Sequence, residues 1–196
     1  MKAVPPCGIT LAQFTAAFVP FGVLAIVALL YPETTQELDL GRAKATIWAT
    51  TIMLIPALSL YPFRVASTPV ANLAHLYWTF AFLLFLLHVY WAVFVIFHGI
   101  PDTFRKMGPV VASVNFLLVV WWGLDVLALW IARSSTSRAA RCQWATRTFA
   151  FLFFAITLTV PRDGPARALG IVFVAAVTLA LAVRLWVGPQ RDETYA

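Results

Sequence analysis

The stretch that decides the fold is Asn72–His98, NLAHLYWTFAFLLFLLHVYWAVFVIFH. It is the longest apolar run in the chain and contains all three histidines, His75, His88 and His98. At 1.5 Å per residue, the run Val70–His98 is about 40 Å long as a helix, more than a bilayer's hydrocarbon core requires. It therefore reads as a transmembrane helix that tilts or projects, and as the strut around which the other segments pack.

The rest of the composition agrees with lipid as the solvent. Of the 196 residues, 62% are hydrophobic and only 11% charged, against about 25% charged in soluble domains. Backbone groups in lipid must be satisfied internally, which leaves helices or a closed barrel. The apolar runs are long and lack the alternation of barrel strands, so the expected fold class is all-α. The chain reads as one polytopic membrane domain of six transmembrane helices with no soluble domain. The expected spans are 9–30, 45–61, 70–98, 108–132, 144–160 and 166–187. Glu33–Lys44 and Gly99–Lys106 read as loops. Pro20 falls inside the first span and removes a helical hydrogen bond, freeing a carbonyl near Ala16. The first run is too long for a signal-peptide core and lacks a convincing small-residue cleavage site, so it reads as a retained span.

The net charge is +6, and the basic residues cluster at span ends. Six crossings place Lys2, Arg64, Arg133, Arg138, Arg141, Arg147, Arg184 and Arg191 on one side. Arg42, Lys44, Arg105, Lys106, Arg162 and Arg167 lie on the other. By the positive-inside rule both termini face the cytoplasm, and a bacterial inner membrane is the expected location. The lipid bilayer is the first partner, other membrane subunits the second; no nucleic-acid module is present. Cys7 and Cys142 lack disulfide or zinc spacing and read as free thiols. The two halves show no repeat of the inverted-transporter kind.

Ionisable residues inside a bilayer are costly and mark structure or function. The candidates are His75, His88, Asp125 and Arg147, with neutral Asn115. Asn72, His75 and Thr79 follow i, i+3, i+7 spacing and share a helix face. His75 and His88 are thirteen positions apart, which turns their rings about 140° from one another. Counted along the helices, Asp125 and Arg147 fall at similar depth, about 7 Å to the cytoplasmic side of the centre. His75 lies nearer the cytoplasm, while His88 and Asn115 pair in the outer half. Two readings of Asp125 stand open: an ion pair with Arg147 that shelters both charges, or a protonatable site with His75. For His88 and His75 the simplest role is hydrogen bonding between helices.

Cofactor chemistry is constrained by the same phases. Haem b held by two histidines of one chain is excluded, because His75 and His88 lie on one helix and point apart. A single-histidine haem, a His75/Met53 pair, or ligands shared with a second subunit stay open. Trp121 and Trp122 lie near mid-membrane and offer a flat wall for a quinone or lipid tail, or else simply pack. His98 and Asp102 near the outer surface offer two ligands that a metal can share, but a helix-end histidine beside a loop acid is usually just solvated. No phosphate loop, nucleophile elbow or zinc motif occurs. Ala166/Gly170 and Ala176/Ala180 give the last span a small-residue face.

Three functions fit, in this order: a non-catalytic subunit or scaffold of a larger membrane complex, respiratory complexes included; a small proton-coupled transporter working through Asp125 with His75 and His88; and a haem- or quinone-binding electron-transfer subunit.

Overall fold

A computed structural model of the chain describes residues 8–30, 38–131, 137–160 and 163–188. Lys2, Cys7, Glu33, Glu37, Ala132, Arg133, Arg162 and Arg191, to which roles or boundaries were assigned from sequence, lie outside these ranges. The described residues form helices only. They are α1 (Leu11–Leu30), α2 (Leu38–Leu60), α3 (Thr68–Val89), α4 (Ile100–Met107), α5 (Pro109–Ile131), α6 (Ser137–Thr159) and α7 (Gly164–Val187). A short 3₁₀ turn, Tyr61–Phe63, ends α2, and a π-helical segment, Tyr90–Ile96, continues α3. The protein is an all-α membrane bundle.

Five of these helices (α1, α2, α3, α5 and α7) are long and apolar enough to cross a membrane. The remaining long helix, α6, holds the expected span 144–160 and has 23 residues, about 34 Å at helical rise. Its first half carries Arg138, Arg141 and Arg147, so its apolar stretch is the shortest.

The expected boundaries shift in three places, each for a local reason. α2 begins at Leu38 rather than at residue 45. Its first turn carries Asp39, an acid beside the positive end of the helix dipole. α6 begins at Ser137 rather than at residue 144, because arginine is a good helix former and its long side chain can reach the interface from there. The expected loop 99–106 is the amphipathic helix α4. Asp102 stands in its first turn and Arg105 and Lys106 in its last, which complements the dipole at both ends. Gly108 closes it at φ 81°, its N–H donating to the Phe104 carbonyl, as helix-ending glycines do.

The third span does not act alone as the central strut. Over its most apolar stretch, α2 is 56% buried and α3 with its π segment 28%. α2 touches α1, α3, α6 and α7, and α3 touches α1, α2 and α5. The buried face of α2 holds Met53, Leu54 and Leu58 together with the small side chains of Ala43, Thr46, Ala49, Thr50, Thr51 and Ala57, which let neighbouring backbones approach. Thr46, Thr50 and Thr51 each donate to the carbonyl four residues earlier at 2.8 Å, so their hydroxyls need no partner on another helix.

An aromatic column runs through the core. Trp78 and Trp122 lie 4.5 Å apart, Phe85 is 5.4 Å from Trp122, and Phe154 is 5.8 Å from Phe85. Phe173 follows at 6.5 Å from Phe154. These rings come from α3, α5, α6 and α7 and join the two sides of the bundle.

Candidate functional site

Two polar regions occupy opposite ends of the bundle. The first is a buried cluster where α2 ends and α6 begins. Arg147 Nη1 meets Asp125 Oδ2 at 3.0 Å, with both side chains at 4% exposure or less. Trp78 Nε1 donates to the same carboxylate oxygen at 2.9 Å. Arg147 Nη1 also donates to the Gln143 carbonyl at 3.0 Å, four residues back on its own helix. The Tyr61 hydroxyl donates to Gln143 Oε1 at 3.2 Å. The guanidinium of Arg147 lies 4.0 Å from the Tyr61 ring centre and 4.6 Å from that of Trp78. Arg64 lies 4.0 Å from the same Tyr61 ring and 5.3 Å from Trp144.

This is a charge laid among rings, not in a water-filled cleft. Cation–π contact contributes about 2 kcal/mol when both partners are desolvated, and a charge-assisted hydrogen bond about 1.5–3 kcal/mol. Together these contacts offset the cost of holding Asp125 and Arg147 away from water. The ion-pair reading of Asp125 is the geometry found, at the matching depth expected from the sequence.

His75 takes no part in that pair. It is 0% exposed, and neither ring nitrogen has a hydrogen-bond partner among the described residues. Arg147 and Arg64 are the charges in electrostatic reach of it. Its helix-face companions are engaged elsewhere: Asn72 Nδ2 donates to Gln13 Oε1 of α1 at 3.0 Å, and Trp130 Nε1 donates to the Thr79 hydroxyl at 2.9 Å.

Arg64, Tyr61, Gln143 and Trp78 complete the cluster, and none stood out in the sequence as a site residue. Arg64 reads as a loop residue, yet it is 1% exposed. Its Nη1 donates to the Tyr61 carbonyl at 3.0 Å, while its Nε and Nη2 have no hydrogen-bond partner among the described residues. Two signals were available. Gln143 lies one helical turn before Arg147, and Trp78 lies one turn after His75.

The second region is a cavity of about 250 Å³ at the other end, between α2, α3, α4 and α5. His88 and Asn115, expected to pair, both line it, but each hydrogen-bonds elsewhere. His88 Nδ1 contacts the Ala43 carbonyl at 2.9 Å; a carbonyl only accepts, so that nitrogen carries the proton. Asn115 Nδ2 donates to the Val111 carbonyl at 2.8 Å. Trp121 and Trp122 line neither this cavity nor one shared face. Trp122 is fully buried in the aromatic column, and Trp121 stacks on Phe149 at 5.5 Å.

Of the ligand candidates, His75 is enclosed and His88 faces the cavity. At about 250 Å³ that space lies just below the range of about 300–1,000 Å³ usual for drug-sized ligands, so it suits a single ring better than a porphyrin. Asp102 pairs with Arg105 at 3.4 Å on the surface, and no group of three or more metal-ligating side chains occurs among the described residues. No protein-family model, curated protein or solved structure matches this chain.

Proposed function

We propose that the chain is a non-catalytic, membrane-embedded subunit that packs into a larger membrane assembly. The observation that carries this reading is the closure of the Asp125 carboxylate by Arg147 and Trp78. Its buried charge joins α3, α5 and α6, and Tyr61 and Gln143 extend the joint to α2. A charge spent on holding four helices together is an architectural charge. The surface left for partners is the lipid-facing side of α1 and α7, whose most apolar stretches are only 11% and 17% buried. The assembly lies in a bacterial inner membrane. The end bearing Arg64, Arg138, Arg141, Arg147 and Arg184 faces the cytoplasm, in keeping with the positive-inside rule; both termini are on that side.

The test is purification from native membranes in mild detergent. Stoichiometric co-purification with one fixed set of membrane chains is expected, together with loss of those chains when bulky substitutions such as Val172→Trp are placed on the exposed face of α7. A stable monomer that drives proton flux in liposomes would overturn the proposal.

One observation favours a second reading, a proton-coupled carrier acting at Asp125 and His75: the two unpartnered ring nitrogens of His75 beside Arg147. That reading requires flux in liposomes and its loss in His75→Gln. His88, at the far end of the bundle, would not belong to the same site.

A further inference from the structure

We infer that the cavity under α4 is a binding site for the head of a bilayer-dissolved amphiphile: a neutral, flat, oxygen-bearing ring of the quinone class. The inference does not depend on the subunit reading, because it concerns the opposite end of the molecule.

Three independent features converge there. The first is the backbone. Ala92, Val93 and Ile96 of the π-helical segment form one wall of the cavity. π turns are rare and occur often at functional sites, since the wider turn re-aims side chains. The Phe97 N–H reaches back to the Ala92 carbonyl at 3.0 Å, and the Gly99 N–H to that of Val93 at 2.8 Å.

The second feature is the cover. Thr103 and Met107 of α4 line the cavity. α4 hangs between two left-handed positions, His98–Gly99 (φ 60° and 123°) and Gly108 (φ 81°). Positive φ is uncommon for a residue with a side chain, and an observed outlier of this kind points to a functional constraint. Phe104 stacks on Phe116 of α5 at 5.6 Å with the rings 6° from parallel, which holds the cover to the bundle at one point.

The third feature is the chemistry of the lining. Phe85, Phe97 and Phe116 supply aromatic walls. Among the described residues the polar groups are few: Thr103, Asn115 and His88 inside, and the exposed Lys44 at the edge. Among the described residues no acid lines the cavity, so they offer a cationic ligand no counter-charge. A buried anion would need paired, charge-assisted donors, and a single exposed lysine does not provide them. Asn115 spends one amide hydrogen on Val111 and retains a second for a ring carbonyl. Aromatic walls with a few placed donors are the usual form of a small-molecule site.

The test is equilibrium dialysis of the full chain in lipid nanodiscs against a short-chain benzoquinone (ubiquinone with one isoprene unit), with oleic acid as the contrasting amphiphile. Saturable one-site quinone binding above that of empty nanodiscs is expected. Asn115→Leu should weaken it about five- to tenfold, the equivalent of one hydrogen bond, and Ala92→Phe, which fills the cavity, should abolish it. Helix content and elution volume report whether each variant is folded; if Ala92→Phe is not, Asn115→Leu decides alone. Quinone uptake equal to that of empty nanodiscs overturns the site. So does binding that Asn115→Leu leaves unchanged. Saturable oleate binding without quinone binding overturns the ligand class.

Discussion

Asp125 shows how a full charge persists inside a lipid-facing bundle. Its carboxylate receives Arg147 at 3.0 Å and Trp78 at 2.9 Å, and two rings flank the guanidinium. Removing one partner strands the other, which costs about 3–5 kcal/mol for a buried pair, while replacing both by apolar groups of similar volume is often neutral. Asp125→Asn and Arg147→Met should therefore each lower the thermal unfolding temperature of the detergent-purified protein sharply. Asp125→Leu/Arg147→Met should recover most of the loss. Additive losses in the double variant would show that the two side chains do not act as a pair. The pairing was legible as one of two alternatives, because helical depth puts the residues level. The exclusion of His75 was not, since depth carries no information on which face meets which neighbour.

At the scale of the helix, prolines and glycines gave the clearest advance notice. Pro20 has no N–H to give to the Ala16 carbonyl, and the structure supplies a substitute: the Tyr77 hydroxyl donates to Ala16 O at 2.9 Å. Tyr77→Phe should cost about 1 kcal/mol, read from denaturant unfolding. In a Pro20→Ala background, where the backbone bond can re-form, the same change should cost less. An equal cost in both backgrounds would detach the tyrosine from the proline. Gly170 is the second such position. A Cβ built there would lie 2.8 Å from Leu158 Cβ and 3.2 Å from the Leu158 carbonyl carbon, so α6 and α7 meet at the contact that the small-residue spacing anticipated. Gly170→Ala should destabilise by about 1–3 kcal/mol through overpacking, seen in thermal unfolding; an unchanged midpoint would mean that the two helices separate freely. Helix α4 reads as a loop in the sequence because it is short, polar and set between glycines. The dipole-matched placement of Asp102, Arg105 and Lys106 is a real local signal, but it is weaker than the break that Gly99 and Gly108 suggest.

Across the whole molecule, the positions of charges predict an orientation that can be measured. Cys142 is an exposed free thiol at the end bearing the cluster, and Arg105 lies exposed at the other end, on α4. In a Cys7→Ser background, a membrane-impermeant maleimide should label Cys142 only from the cytoplasmic face. In a background lacking both native thiols, Arg105→Cys should be labelled only from the outer face. Labelling of both from one face would overturn the crossing of α5 that separates them, and the reverse pattern would overturn the orientation. The sequence by itself determined that this is an all-α membrane bundle and roughly where its helices run. Those properties follow from length, hydropathy and the cost of unsatisfied polar groups in lipid, all local quantities. Only the tertiary structure decided that α2 is more enclosed than α3, that Trp78 rather than His75 takes the second bond to Asp125, and that Arg64 is buried. It also decided that a π turn and α4 line a cavity. These outcomes depend on the rotation of each helix about its axis, and that rotation is set by which small and aromatic side chains of neighbouring helices interlock.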